Sequence, residues 1–152
     1  MKNFGLIILL LFLSGCGYSS IYKNQKSINF QMNIVEAKGD SELNNLIKNQ
    51  IKLYSVPNSK NIYNLKVDTS FSKKVLTKDS SGVITDYNLS VISVFSLNFK
   101  NKIETFKFDE NINIKSQTDT FEQIIYEKNI KRNFASSIRE KLVTSILSLN
   151  DN

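Results

Sequence analysis

The chain has 152 residues, 41% hydrophobic and 22% charged, with 20 Lys and Arg against 14 Asp and Glu, for a formal charge of +6. It contains no histidine and a single cysteine. A Ser-His-Asp or Cys-His nucleophile pair, a His-ligated zinc site and an intrachain disulfide are therefore all excluded.

The chain opens with Lys2, then an apolar run through Leu6 and Phe12, then Leu13-Ser14-Gly15-Cys16. This order describes a secretory signal, too short to remain as a permanent membrane helix. The tetrad resembles the lipobox of bacterial lipoproteins, in which the cysteine sulfur receives a diacylglycerol, the signal is cut before it, and the new amino terminus is acylated. The resemblance implies a signal peptide over 1–15, lipid attachment at Cys16, a tether over 16–27 and one domain over 28–152. An ordinary secretory signal with an incidental cysteine is the plainer alternative. Cleavage leaves about 137 residues with a charge near +5, enough for one domain with a real core.

Ile28, Phe30, Met32 and Ile34 alternate with polar residues, which predicts a strand over about 28–36. Gly39 ends it, and Asp40 or Ser41 can cap a helix carrying Leu43, Leu46, Ile47, Gln50, Ile51 and Tyr54 on one stripe. Pro57 forbids continuation of that helix. A second strand, about 62–76, places Tyr63, Leu65, Val67, Thr69 and Phe71 on one face. Lys73, Lys74 and Lys78 lead into the turn cluster Asp79-Ser80-Ser81-Gly82. A third strand, about 83–100, carries Tyr87, Leu89, Val91, Phe95, Leu97 and Phe99. Asn101-Lys102 then turns into a fourth, about 103–115, with Phe106, Phe108, Ile112 and Ile114, so the last three strands form an antiparallel meander. A long helix over about 120–149 repeats apolar residues every four positions from Phe121 or Ile124 through Tyr126, Ile130, Phe134, Ile138, Leu142 and Ile146. Its stripe should wind around the helix, because four residues overshoot one turn of 3.6.

The expected fold is α+β, a two-layer sandwich of order β-α-β-β-β-α with two helices on one face of a four-stranded sheet. A right-handed β-α-β crossover is expected if the first two strands share the sheet. The carboxylates are scattered, with Asp109 and Glu110 read as a solvated strand end, and no calcium or Walker loop occurs. Enzymatic activity is not expected. Basic residues are almost all lysine, which lacks the bidentate geometry of arginine, so the positive charge does not itself indicate nucleic-acid binding.

Cys16-Gly17-Tyr18 followed by Ile21-Tyr22, the strand-helix-strand unit, Tyr87-Asn88-Leu89 on the third strand and Tyr126-Glu127-Lys128-Asn129 opening the last helix resemble the lipopolysaccharide-assembly lipoproteins called LptE. Two departures are Ser19-Ser20, where such members often carry a proline, and the poverty in arginine. The resemblance implies a lipid-anchored, periplasm-facing outer-membrane lipoprotein that plugs and helps assemble the LptD β-barrel and passes on lipopolysaccharide. Gly17 after the cysteine agrees with outer-membrane sorting. No cofactor is implied beyond the diacylglycerol and acyl chain on Cys16, and no nucleic-acid partner. Lys73, Lys74 and Lys78 are the candidate lipopolysaccharide contact, or simply guards of a hairpin tip. Lys128, Lys131 and Arg132 form a second basic group, read as the wet face of the helix. Asn64, Ser70, Asn88, Ser90, Ser93, Ser96 and Asn98 suit either a barrel wall or water. A lipid carrier, or a scaffold lipoprotein of another envelope-assembly machine, is the alternative function.

Overall fold

The computed structural model describes residues 30–100 and 102–150. Cys16, the 1–15 signal, the 16–27 tether and the expected first two residues of the first strand lie outside the described residues. Six elements follow in the expected order: β1 (Phe30–Gly39), α1 (Ser41–Tyr54), β2 (Asn61–Lys78), β3 (Ile84–Phe99), β4 (Lys102–Lys115) and α2 (Thr120–Asn150). The strands form one mixed sheet of order β1-β2-β3-β4. β1 and β2 are parallel, and the other two neighbouring pairs are antiparallel.

The β1–α1 junction is built around Gly39, whose φ of +86° lies in the left-handed region. A Cβ there would sit 1.7 Å from the Thr69 carbonyl oxygen, so only glycine lets the chain turn this close to β2. The Asp40 amide then donates to that same Thr69 carbonyl at 3.1 Å. Its carboxylate accepts from the Leu43 amide at 2.7 Å and caps α1, satisfying one of the first-turn amides that a helix leaves without a partner. Asn44, buried beside them, donates to the Lys38 carbonyl at 2.8 Å and accepts from Thr69 Oγ1 at 2.9 Å.

Leu43, Ile47 and Ile51 recur every four residues along α1 and are all but fully buried. They pack with Phe30 and Met32 of β1 and Tyr63, Leu65 and Val67 of β2 in a single core. Leu89, Val91, Phe95 and Leu97 carry that core across β3. In α2 the stripe runs through Ile130, Phe134, Ala135, Ile138, Leu142, Val143 and Ile146. It starts later than the periodicity predicts, because Phe121, Ile124 and Ile125 are exposed. The first turns of α2 instead bury Gln123, which accepts from the Gln117 amide at 2.7 Å.

Both helices cover the same side of the sheet. Pairing aligns Thr69 with Ser93 and Ser93 with Phe108 on that side. Ser93 is consequently fully buried with no hydrogen-bond partner for its hydroxyl, not part of the wet face to which its chemistry would assign it. Strand alternation explains this, since Ser93 shares the parity of Val91 and Phe95.

Gly39→Ala combines an unfavourable φ with a direct backbone clash, and is expected to cost about 3 kcal/mol or more, read as a shift of the urea midpoint. Ser93→Ala removes an unsatisfied buried hydroxyl and should raise stability or leave it within about 0.5 kcal/mol. A loss above 1.5 kcal/mol on the same unfolding curve would mean that the hydroxyl is satisfied after all.

Candidate functional site

Strand alternation gives the sheet a second, uncovered face. On it lie Gln31 and Asn33 of β1, Asn64, Lys66, Asp68, Ser70, Ser72 and Lys74 of β2, Asn88, Ser90, Ser96 and Asn98 of β3, and Thr105, Lys107, Asp109, Asn111 and Asn113 of β4. Neighbouring strands join through side chains here: Asn33 to Asn64 at 3.4 Å, Ser72 to Ser90 at 2.9 Å, and Asn88 to Asn113 at 2.8 Å. Ile92 and Val94, half-buried, and Ile62 and Ile103, exposed, interrupt the polar rows.

The charges of this face are largely matched across strands. Glu36 meets Lys66 at 2.8 Å and Lys38 at 3.1 Å. Those lysines, Lys66 first, hold the Glu36 carboxyl below the usual carboxylate range, while Glu36 raises the Lys66 ammonium above its own. At the other end, Asp86 accepts from Thr77 and from Thr85 at 2.8 Å, and meets Lys115 at 3.0 Å. The Thr77 hydroxyl is the largest influence, followed by Thr85 and Lys115, and together they hold the Asp86 carboxyl at about 2. The face is therefore hydrogen-bonding and nearly neutral.

The three lysines before the hairpin do not converge. Lys73 lies opposite Leu89, on the helix side. Its ammonium is ion-paired to Glu127 of α2 and stands 4.0 Å from the centre of the Tyr87 ring. Lys74 faces the other way, opposite Asn88, and Lys78 closes the strand opposite Ile84. A period of two sends consecutive side chains to opposite faces, so Lys73 stands on the helix side of the sheet and Lys74 on the open side. The hairpin tip beyond them is held by Asp79, whose carboxylate accepts from the Ser81 and Val83 amides at 2.8 and 2.9 Å.

Two other charged groups are located differently from the sequence reading. Lys131 is not on the wet face of α2: its side chain is 13% exposed, bonds Glu42 at 2.6 Å and sits 4.2 Å from the centre of the Phe71 ring. Asp109 and Glu110 separate, with Asp109 on the open face. Glu110 points at α2, accepting from Ser137 and pairing with Lys141, both at 2.7 Å. Arg139, which composition alone does not single out, is buried, with its guanidinium 3.8 Å from the centre of the Tyr54 ring and bonded to Ser136 and Glu140 at 2.9 Å.

A cleft of about 390 Å³ lies between β1 and the end of α1, lined by Met32, Ile34, Ile51 and Pro57 and rimmed by Lys48 and Lys52. Among the described residues no cluster of acidic or thiol side chains converges as a metal site would require. No helix among them is long and apolar enough to cross a membrane.

Solved structures similar to this chain include two lipoproteins. Rare lipoprotein B from Shewanella oneidensis aligns with a TM-score of 0.57 at 16% identity, over 79% of this chain and 98% of that one. A lipoprotein structure from Caulobacter crescentus aligns at 0.49 and 12% identity, over 82% and 91%. The first likeness establishes a common fold. No family model and no curated protein sequence matches the chain.

Because Asp86 is held at about 2 against an ordinary value of 3.8, its stabilising contribution is present above pH 4 and lost as pH falls towards 2. Asp86→Asn should flatten the dependence of stability on pH in that window and leave it unchanged above pH 5. Urea midpoints of both forms between pH 2 and 6 check this; parallel curves would count against it.

Proposed function

We propose that this chain is a lipid-anchored lipoprotein of the outer membrane, and that its domain is a non-enzymatic accessory subunit. In this reading Cys16 carries the anchor, and the domain plugs and helps assemble an LptD-like β-barrel that delivers lipopolysaccharide to the outer leaflet. The observation that carries it is the open sheet face. One side of the sheet is sealed by two helices, while the other presents rows of asparagine, serine and threonine with nearly balanced charge. The interior wall of a large outer-membrane barrel is polar, lined by side chains that point into the lumen. A broad, neutral, hydrogen-bonding surface matches such a wall better than it matches a compact substrate.

The lipobox-like tetrad and a fold shared with a protein named as a lipoprotein both support the anchor. A carrier of single lipids is disfavoured, because the space between sheet and helices is filled by Phe95, Leu89, Ile138 and Leu142, all fully buried. Lipopolysaccharide contact at Lys73, Lys74 and Lys78 belongs to the same proposal. Lys74 and Lys78 supply the free cations, and Lys73 would have to leave Glu127 to join them.

Anchoring is tested by Cys16→Ala, which should move the protein from membranes to the soluble fraction after a salt wash. Retention on membranes would remove the anchor. For the plug, wild-type chain extracted from native membranes should co-purify with a large barrel. Ser96→Arg with Asn98→Arg, two bulky cations on the open face, should cut that recovery at least about tenfold with little change in melting temperature. Undiminished recovery would show that another surface meets the barrel. Charge reversal at Lys74 and Lys78 should weaken retention of lipopolysaccharide and increase its sensitivity to salt. Unchanged affinity would remove the headgroup contact.

A further inference from the structure

A sheet of four strands has free edges, and three stretches of edge differ in how they are guarded. The outer edge of β1 is covered: the Val56 amide donates to the Phe30 carbonyl at 3.1 Å, and the Met32 amide donates to Ser55 Oγ at 2.7 Å. Beyond that cover, the register of β1 slips between Ile34 and Glu36. The part of β2 past Thr69 has no β1 beside it, and its register slips twice, between Val75 and Lys78. Bulges of this kind twist an edge away from a second chain. β4 is unlike both. It pairs with β3 without a single slip from Lys102 to Lys115, has 14 residues and no proline, and no described element covers its outer edge. A long, regular, open edge is a template for another strand.

The charges near its centre point to what that strand is. Lys107 and Asp109 are exposed neighbours on the open face. The ion pairs of that face occupy Glu36, Lys38, Lys66, Asp86 and Lys115 and leave Lys107 and Asp109 unpaired among the described residues. We propose that β4 pairs antiparallel with β4 of a second copy of this chain, about a two-fold axis at Phe108. In that register Lys107 faces Asp109 of the other copy, and symmetry makes the pair twice. Thr105 then faces Asn111, and Phe108 lies beside Phe108. Centring the axis on Lys107 or Asp109 would oppose like charges, and centring it on Glu110 would oppose two glutamates. Opposite charges directly across an antiparallel pair attract, and like charges repel. The result is an eight-stranded sheet with one polar face and the helices of both copies on the other side. It does not depend on the barrel reading, and describes the chain when β4 is not engaged by a different partner.

The test uses full-length lipidated chain in detergent, with sedimentation equilibrium as the readout and thermal melting to confirm that each form is folded. Wild type should sediment as a dimer. K107D and D109K should each weaken dimerisation by about tenfold or more, because both symmetric pairs become repulsive. Mixing the K107D chain with the D109K chain should restore a dimer, since each cation then faces an acid, and so should K107D with D109K in one chain. A wild-type monomer at the highest soluble concentration overturns the proposal. So do single reversals without effect, or a mixture that stays monomeric. The mixing arm compares the same two chains apart and together, so a modest loss of stability in either does not blur the result. Failure here leaves the barrel co-purification untouched, and the two readings fall separately.

Discussion

The contact on which the molecule turns is the approach of Gly39 to the Thr69 carbonyl. Parallel pairing of β1 and β2 requires the chain to leave the sheet, run back as α1 and re-enter, and the space available at the exit is set by that one glycine. The Asp40 amide and the Asn44 side chain then tie the exit to Thr69 and Lys38. The same aspartate starts the helix. A strand end, a helix start and a register are thereby fixed by a few polar groups inside an otherwise apolar core. Such a network is worth having only when every member is satisfied, and here the Asp40 carboxylate, the Asn44 amide and the Thr69 hydroxyl each find a partner.

Once α1 is placed, the sidedness of the sheet follows. α1 packs on β1 and β2, and α2 packs against α1 and reaches β4 through Glu110, Ser137 and Lys141. Lys131 joins the two helices by its bond to Glu42 while covering Phe71. Its stem and ammonium therefore do two jobs at once, apolar cover and ion pairing, as long cationic side chains can. With both helices on one side, the other face has only cross-strand partners to satisfy its polar groups. It is built from residues able to do so, the asparagine and serine pairs across β1, β2, β3 and β4.

The element order and nearly all element boundaries were legible in the sequence, because alternation in the strands and the four-residue repeat in the helices are strong and are punctuated by Gly39, Pro57 and Asp79-Ser80-Ser81-Gly82. What was less legible is the side to which a residue points when its chemistry and its parity disagree. Ser93 looks like a wet residue, but it stands between Val91 and Phe95 in the alternation and is buried. Lys73 and Lys74 look like one basic cluster, but parity sends them to opposite faces, and Glu127, 54 residues away, claims the first. Composition groups residues by kind, whereas a strand separates them by number. The exposed start of α2 has a different origin. Its apolar repeat reads as core, yet burial depends on what lies opposite, and at that end Gln123 takes the inward position.

The candidate surface was legible only as chemistry. Asparagine and serine in strands announce a polar face, but whether that face is ordinary water-facing sheet or an interface depends on how its edges are treated, and edges are a property of pairing. β1 and the far part of β2 are bulged or covered, which is how a sheet avoids unwanted strands. β4 has neither device. Lysines alone guard an edge when they stand with like charge; beside Asp109, Lys107 offers complementarity to another strand instead of repulsion. An edge that keeps its regularity and its matched charges while its siblings are blunted is better understood as a surface that meets another chain. The polar face and the open edge meet along the same strand, β4.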